Sequence, residues 1–578
     1  MSSYRPSVDS ASPLAPPAAP SRGLPPVSMV AFRAADLPIH RGMGPAGRPG
    51  AMLVPSRGTA GGGVAAGALV TFCHPVVSVP AVVRRDGTVL AGGWLPDFVR
   101  LGELERHAGD GVIEAIAAAA VAGGRVPAPQ RRRLMSLPLV MRLTVAMTLM
   151  PGASYPEVAR EVAGHLAGVP WARGWHVPTS KVMTGWRDKA GPAPLEELFW
   201  RVAGPLVADD APSAVNLAGM AVCGIDGMLV SVADTPANRA AFGCAGTSTR
   251  MGYGEAPFPQ VQAVVVTARA GRAKLGAIMG AARAGEQALL ARLIRRRPEL
   301  FAGRVLCFDR NFPGHKVITA ILDAGGHVVA RVRAGISLPV TSGGWLPDGS
   351  RITYLNAPSG KKADRLPVRV AEHNAVLPCG DGEAVSETWT LATTLLDHTA
   401  ASAEEIRQAY LARWPASETT FGQDKATITG AGDRTCGPVL RSGAPRLVVQ
   451  EFWAWMCGTQ LVRASATAAL TGAAAAARAL RRRTPAPVTT DELSFTAARH
   501  NAIRSMTQSR LTATTSLPEM AAAADATARA ILHTLTITGR QRHSARAQKH
   551  QPKFAHTPRT KKTVTGVPAI TRFAPGTG

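Results

Sequence analysis

The sequence has few aromatic residues, no closely spaced cysteine pair and no long apolar run. Phe, Trp and Tyr make up 5% of the 578 residues, whereas hydrophobic residues as a whole make up 46%. The seven cysteines are scattered without a CxxC pair, which argues against a zinc site or a disulfide framework and fits a reducing cytoplasm. Because about 18 consecutive uncharged apolar residues are lacking, we expect no membrane span. We also expect no secretory signal, since the first residues lack its charged-then-apolar pattern.

Acidic residues are scarce relative to basic ones. Asp and Glu number 39 against 65 Lys and Arg, a formal net charge of +26. An excess of this size favours a polyanionic partner, because each phosphate contacted releases condensed counterions. A GC-rich genome also favours Arg, Ala and Gly, so part of the excess reflects composition. Arginines nevertheless recur along the whole length, which a basic tail alone does not explain.

The length predicts several domains rather than one compact core. Residues 1–95 are rich in Pro, Gly, Ala and Ser and are predicted to be a mostly disordered extension, apart from a short apolar stretch at 69–83. Residues 541–578 are predicted to be a basic, disordered tail. The ordered part of the chain should therefore lie between these two segments.

Residues 96–205 have helical periodicity. Ser154 to Glu157 match a capping box, and Thr179 or Ser180 can cap a second short helix. Two short helices of which the second is basic suggest a helix-turn-helix, although most such pairs are simply packed helices. We predict a helical DNA-binding domain here, whose contacts come from the basic residues of the second helix: Lys181, Arg187 and Lys189.

Residues 215–440 predict an α/β domain. Two short apolar runs on either side of Asp226-Gly227 predict a hairpin, and the order from there is three or four strands, helix, strand, helix, strand. That order is typical of a mixed sheet. A mostly β insertion is predicted at about 335–390, and a C-terminal helical region is predicted at 441–540.

Three acidic residues stand out by their positions. Asp226 is predicted to end a strand at a Gly turn, Asp309 follows the strand RVLCF, and Glu418 lies in a helix far downstream. Carboxylates that converge at one edge of a sheet repel each other unless they hold cations, and oxygen ligands suit Mg²⁺ or Mn²⁺. A single Asp in a turn more often accepts backbone hydrogen bonds, so the positions alone leave both possibilities open.

The sequence motifs around these acids resemble, in the same order, the motifs of the DDE transposases of the insertion-sequence-four family. The resemblance runs from about residue 100 to 540. Its blocks are Ile225-Asp226-Gly227, Asp234-Thr235-Pro236-Ala237-Asn238, Ala241-Phe242-Gly243, Phe258-Pro259-Gln260, Gly285-Glu286-Gln287 and Asp309-Arg310-Asn311-Phe312, followed by Tyr410, Arg413, Trp414, Glu418, Phe421 and Lys425.

The resemblance implies an RNase H-like core interrupted by a β insertion and flanked by helical regions. It implies that Asp226, Asp309 and Glu418 are catalytic metal ligands for Mg²⁺ or Mn²⁺, as two ions. It also implies that three further residues lie along the DNA backbone: Tyr410, Arg413 and Lys425.

The activity implied is that of a bacterial insertion-sequence transposase. Such an enzyme binds terminal inverted repeats, cleaves DNA by metal-dependent hydrolysis and joins the 3′ ends to target DNA. The expected partners are double-stranded DNA, as element ends and as target, and a second copy of the chain on that DNA, with no membrane. The expected location is the bacterial cytoplasm, at the nucleoid when DNA is bound.

One spacing departs from the family pattern. Four residues separate Arg413 from Glu418 where the family has three, whereas the six residues between Glu418 and Lys425 match. An extra helical residue rotates a side chain by about 100°. Pro415 favours a helix start, which would place Arg413 in the preceding turn. Glu286 and Asp234 are left outside the triad, as a residue near a helix N-terminus and as part of a turn.

Two other functions remain open. The chain could be an inactive or domesticated DNA-binding protein derived from a transposase, for which the spacing change and the long N-terminal extension argue. It could also be an RNase H-like nuclease that does not join strands. The presence of all three acids favours the active transposase.

Overall fold

A computed structural model describes 82–83, 89–90, 99, 101–109, 111–127, 135–164, 176–206, 215–245, 258–309, 314–332, 336, 338, 341, 344–378, 384–414, 419–429, 439–471, 475, 478, 487–508, 517–535 and 569–572. The chain divides into two units, 1–76 and 77–578, and every described residue belongs to the second. Most of the extension predicted to be disordered therefore lies outside the described residues.

The N-terminal region is helical, as predicted. A two-strand pair, β1 (Val82–Val83) and β2 (Val89–Leu90), precedes the helices. They are α1 (Glu103–Arg106), α2 (Val112–Ala122), α3 (Leu137–Leu149), α4 (Tyr155–Ala163), α5 (Ser180–Ala190) and α6 (Ala193–Val202).

Local capping explains where two of these helices begin. Ser154 and Glu157 form the predicted capping box of α4, in which each side chain accepts from the other residue's backbone N–H. The hydroxyl of Thr179 caps α5 by accepting from the N–H of Val182. Helix α3 is buried on every side from Leu139 to its end, as its mostly apolar sequence predicts, and its one charged residue, Arg142, is buried in ion pairs.

The α/β region begins with the strands of a mixed sheet and the helices between them. They are β3 (Asn216–Leu217), β4 (Met220–Val232), α7 (Pro236–Phe242), β5 (Gln260–Ala268), β6 (Lys274–Ala281), α8 (Glu286–Arg296), β7 (Arg304–Phe308), α9 (His315–Asp323) and β8 (His327–Arg331).

The order of the core strands across the sheet is β6, β5, β4, β7, β8. Strand β5 is antiparallel to its two neighbours, β4 and β6, whereas β4, β7 and β8 run parallel to one another. Three antiparallel strands followed by two parallel ones joined through helices form the RNase H-like arrangement that the resemblance implied. The predicted fold class, a mixed α/β core, is confirmed.

The sequence prediction was wrong about the strand that carries Asp226. The two runs on either side of Asp226-Gly227 form one continuous strand of 13 residues, β4, rather than a hairpin. Along this strand Asp226 lies opposite Val265 and Gly227 lies opposite Val264 of β5. The ladder with β5 continues through the dipeptide, so tertiary pairing overrides the local preference of Asp-Gly for a turn.

The region predicted to be a β insertion extends the sheet. It contains β9 (Arg351–Leu355), β10 (Leu366–Pro378) and β11 (Ala384–Thr393). Strand β11 pairs antiparallel with β8, and β10 pairs with both β11 and β9. Within the tail predicted to be disordered, β13 (Ala569–Arg572) pairs with β10, so the prediction was wrong for these four residues.

The remaining elements are mostly helical. They are α10 (Ala403–Trp414), α11 (Thr420–Thr429), β12 (Val439–Leu440), α12 (Pro445–Ala468), α13 (Phe495–Gln508) and α14 (Leu517–His533). Helix α12 is buried over most of its length against the N-terminal helices. Among the described helices, none is long and apolar enough to cross a membrane.

Helices cover both faces of the core sheet. Ile225 of β4 and Phe308 of β7 pack with α8 and α9 on one face. Val222 and Cys307 pack with Tyr410 of α10 on the other. Successive side chains of a strand point to opposite faces, which explains how neighbouring residues of β4 enter different clusters.

Candidate catalytic carboxylate site

Asp226 and Asp309 lie side by side on adjacent parallel strands. Strands β4 and β7 are paired up to Gly224 opposite Cys307. When this register is extended by two residues beyond its last pair, Asp226 is level with Asp309, which directly follows β7. Both residues are half-buried. The structure therefore brings together the first two acids predicted from the sequence, although only Asp309 follows the end of its strand.

Strand alternation places both aspartates on the face covered by α10. On that face of β4, Val222 packs in the α10 cluster, whereas Met228 packs in the cluster of the helical regions. Asp226 has the same parity as both and lies between them along the strand. The carboxylate thus lies between two apolar clusters, where it is half-buried.

Gly227 allows a third carboxylate to approach from the opposite face. A Cβ built on Gly227 would lie 2.2 Å from Oε1 of Glu286, so any side chain here would collide with that carboxylate. Nε2 of Gln262 donates to the same Oε1 at 3.2 Å. A glycine inside a strand often marks such a close approach, so Gly227 was a signal in the sequence that some group comes close at this position.

Glu286 is electrostatically coupled to Asp309. Burial raises the pKa of its carboxyl group and the charge of Asp309 raises it further, against the lowering effect of the hydrogen bond from Gln262. Glu286 is the first residue of α8, as predicted, but it caps nothing: the N-cap is Gly285. The sequence reasoning that left it outside the triad missed its place beside Gly227 and Asp309.

Tyr410 and Arg413 lie on the same side of the sheet as the aspartates. The guanidinium carbon of Arg413 is 5.5 Å from the centre of the Tyr410 ring, and both side chains are buried. Burial raises the pKa of the Tyr410 phenol; the charge of Arg413 opposes this and the charge of Asp309 reinforces it. Arg413 is in the last turn of α10, before Pro415 in the sequence.

Glu418, the third predicted acid, and Pro415 lie outside the described residues. The next described helix, α11, begins two residues after Glu418 and carries the half-buried Lys425. In the part of the chain that the structure describes, no three His, Cys, Asp or Glu side chains are grouped as metal ligands. Glu418 is not among these described residues.

The donor set nevertheless suits a hard divalent cation. Asp226 and Asp309 offer carboxylate oxygens at neighbouring positions, and the pKa of Glu286 is raised partly by the charge of Asp309. Like charges held this close are stabilised by a cation, and oxygen donors match the preference of Mg²⁺ and Mn²⁺.

Asp234 does not join this group. Both of its carboxylate oxygens accept from Arg239, at 2.5 and 2.8 Å, in an exposed ion pair. Thr235 caps α7 by accepting from the N–H of Asn238, and the Asn238 amide donates to backbone carbonyls of Ala233 and Ser442. The segment shapes the chain after β4, as the sequence predicted.

The structure separates the three predicted DNA contacts of α5. Lys181 and Lys189 are exposed, and Lys189 lies 4.9 Å from the Trp186 ring centre. Arg187 is only 3% exposed and donates to Gln450, Tyr155 and Ser442 at 2.9, 2.6 and 3.1 Å. The predicted contact of Arg187 with DNA was wrong, because its guanidinium is used in the core.

The helices that carry these residues match a known family. Residues 99–200 match the model described as insertion element 4 transposase N-terminal. This match confirms the resemblance to insertion-sequence-four transposases. It covers the N-terminal helices, so it supports transposase function in general without bearing on the carboxylates.

The comparison with solved structures gives a match of low similarity. One solved structure, the cryo-EM structure of the piggyBac transposase synaptic complex with hairpin DNA, aligns at a TM-score of 0.34 and 10% identity, over 74% of this chain and 84% of that one. The search of curated proteins found no match.

Proposed function

We propose that the chain is the transposase of a bacterial insertion sequence, which cleaves the ends of its element and joins their 3′-hydroxyls to target DNA. The observation that carries this proposal is the alignment of Asp226 with Asp309 on adjacent parallel strands, in a chain whose residues 99–200 match the N-terminal region of such transposases. Paired carboxylates of this kind suit the metal ions of a two-metal phosphodiester reaction.

The protein's part in the reaction is to hold charge in fixed places. Asp226 and Asp309 provide the oxygen ligands for divalent cations, with Glu418 as the third acid implied by the family pattern. When bound, two such ions activate a water or a 3′-hydroxyl and stabilise the leaving oxygen. The rigid sheet keeps the two aspartates in register, so the ligands are arranged before the substrate arrives.

Basic side chains hold the DNA backbone beside the acids. We propose that Lys425, which is half-buried on α11, contacts a backbone phosphate. Arg413 is buried against Tyr410, and its charge lowers the pKa of the Tyr410 phenol. Lys181 and Lys189 on the exposed face of α5 are the candidates for binding the element ends.

The test uses a pair of DNA fragments that carry the sequences flanking the gene, incubated with the full chain in Mg²⁺, Mn²⁺ or EDTA. We expect cleavage at the fragment ends and joining to a target plasmid, both lost in EDTA. The matched control is Asp234→Asn, which removes an acid of the same family block that lies in an exposed ion pair with Arg239. It should retain cleavage.

The alternatives predict different results in the same assay. Binding of the fragments without cleavage in either metal would favour an inactive or domesticated DNA-binding protein. Cleavage without joining, even with paired ends, would favour a nuclease. Cleavage that persists in EDTA would contradict the metal-dependent mechanism.

A further inference from the structure

Three charged side chains form a buried cluster outside the carboxylate site. Lys274 lies at the start of β6, Asp424 in α11 and Arg463 in α12. Nζ of Lys274 is 2.9 Å from Oδ2 of Asp424, and Nη2 of Arg463 is 2.7 Å from Oδ1. The side chains are 0%, 0% and 4% exposed. We call these residues the charged triad.

The charged triad joins α11 to its surroundings through several contacts. Arg463 also donates to Oε1 of Gln423 at 3.1 Å and to the carbonyl of Thr420 at 3.3 Å. The indole N–H of Trp455 donates to the carbonyl of Asp424 at 3.2 Å. Helix α11 is thus held to α12 by side chains of α12, whereas the ion pair with Lys274 links it to the sheet.

Stability alone does not account for the charged triad. Burying charges removes them from water, and apolar side chains of similar volume often stabilise such a place equally well or better. The cost is visible in Lys274, whose pKa burial lowers to about 8 in spite of the neighbouring Asp424. An ion pair differs from apolar packing in that it fixes one relative position, because its partners must meet with defined geometry.

The charged triad fixes the position of α11 relative to β4, the strand that carries Asp226. Lys274 is the first residue of β6, which pairs along its length with β5. Strand β5 in turn pairs with β4, where Val265 lies opposite Asp226. Two strand pairings within one sheet therefore separate Lys274 from the aspartate. On the other side of the ion pair, Lys425 directly follows Asp424.

We propose that Lys274 is a positioning residue, which acts through Asp424 to hold α11, and with it Lys425, in register with Asp226 and Asp309. Its role in catalysis rests on the proposed function. Lys274 is fully buried, so it touches neither DNA nor the reacting atoms.

The sharpest variant is Lys274→Met. It removes the link to β6 while Asp424 and Arg463 remain as a balanced ion pair, so no buried charge is left without a partner. We expect a melting temperature equal to or above that of the wild type, a KM for the DNA fragments within about twofold, and a kcat lowered at least tenfold. We also expect faster amide hydrogen exchange in 420–429, because α11 loses its ion pair with β6.

A second buried ion pair serves as the matched control. Arg142 on α3 is 0% exposed and pairs with Glu105 and Glu114. The double variant Arg142→Met, Glu105→Gln removes a charged contact of similar burial in another part of the core. It should leave kcat and hydrogen exchange in 420–429 unchanged.

Each outcome decides the proposal. A Lys274→Met protein with wild-type kcat and wild-type exchange in α11 would overturn it. A variant that fails to fold would show that the lysine serves stability, and would overturn it too. If the wild type itself does not cleave DNA, the proposed function fails, whereas the exchange measurement still tests whether Lys274 holds α11.

Discussion

The carboxylate edge and the charged triad use charge in opposite ways. At the edge, Asp226 and Asp309 bring two like charges to neighbouring positions, half-buried, with Glu286 beside them. In the charged triad, Asp424 lies between two cations and is fully buried. The first arrangement brings carboxylates close to one another, whereas in the second a carboxylate lies between two cations. The same type of residue can therefore belong to a candidate cation site in one place and to a structural contact in another.

The largest contrast is expected from neutralising one acid at each place. Asp226→Asn should abolish cleavage and joining while end binding persists, because most DNA affinity comes from Lys and Arg contacts with phosphate. The variant should melt at the same temperature as the wild type or slightly above it, since one of two adjacent like charges is removed. Cleavage assays, gel-shift titrations and thermal melts would check this. Wild-type cleavage by the variant would refute the assignment of Asp226.

Asp424→Asn should behave differently. It leaves Lys274 and Arg463 as buried cations without their carboxylate, so the free energy of unfolding should fall by about 3–5 kcal/mol. Cleavage should fall by more than the folded fraction does, because the link between α11 and Lys274 of β6 is lost as well. Denaturant titrations beside the cleavage assay would separate the two effects. An Asp424→Asn protein as stable as the wild type would contradict the role of Asp424 in compensating the two buried cations.

The two places should also differ in their response to pH. Burial lowers the pKa of Lys274 to about 8 from 10.5, so between these values the unfolded chain holds a proton that the folded chain has released. Stability contributed by this group therefore rises as pH increases from about 8 to 10.5, by up to about 3 kcal/mol. The difference in unfolding free energy between the wild type and Lys274→Met, measured across this range, isolates the effect. A constant difference would contradict the lowered pKa.

The sequence predicted the core order of strands and helices because those segments have clear periodicity and caps. It failed at Asp226-Gly227, where the pairing of β4 with β5 outweighs the turn preference of the dipeptide. The same glycine contained the information about Glu286, but only the fold shows which carboxylate occupies the space a side chain would need. Local signals indicate elements well and close approaches poorly, because the latter depend on chain segments far apart in sequence.

Buried charges were likewise hard to predict. Asp424 and Lys274 are 150 residues apart in sequence, and neither lies in a pattern that indicates burial. For Arg187 a signal was present: it shares a helical face with Met183 and Ala190, at spacings of four and three residues, and all three are buried. Because Arg187 was interpreted by its charge alone, its position on the buried face of α5 was missed.

The smallest expected effects separate Arg187 from Lys189, two residues apart on one helix. Arg187→Ala leaves Gln450 and Ser442 without their buried donor, so the free energy of unfolding should fall by about 2–4 kcal/mol. Lys189→Ala removes an exposed cation and should leave stability within about 0.5 kcal/mol of the wild type.

If Lys189 contacts a phosphate of the element end, the slope of log affinity against log salt should decrease in magnitude by about 1 for this variant. Arg187→Ala, measured where it is folded, should keep the wild-type slope, because a guanidinium bonded within the core releases no counterion from DNA. Salt titrations of end binding decide between the two roles: a reduced slope for Arg187→Ala with an unchanged slope for Lys189→Ala would show that α5 turns its buried face to DNA on binding.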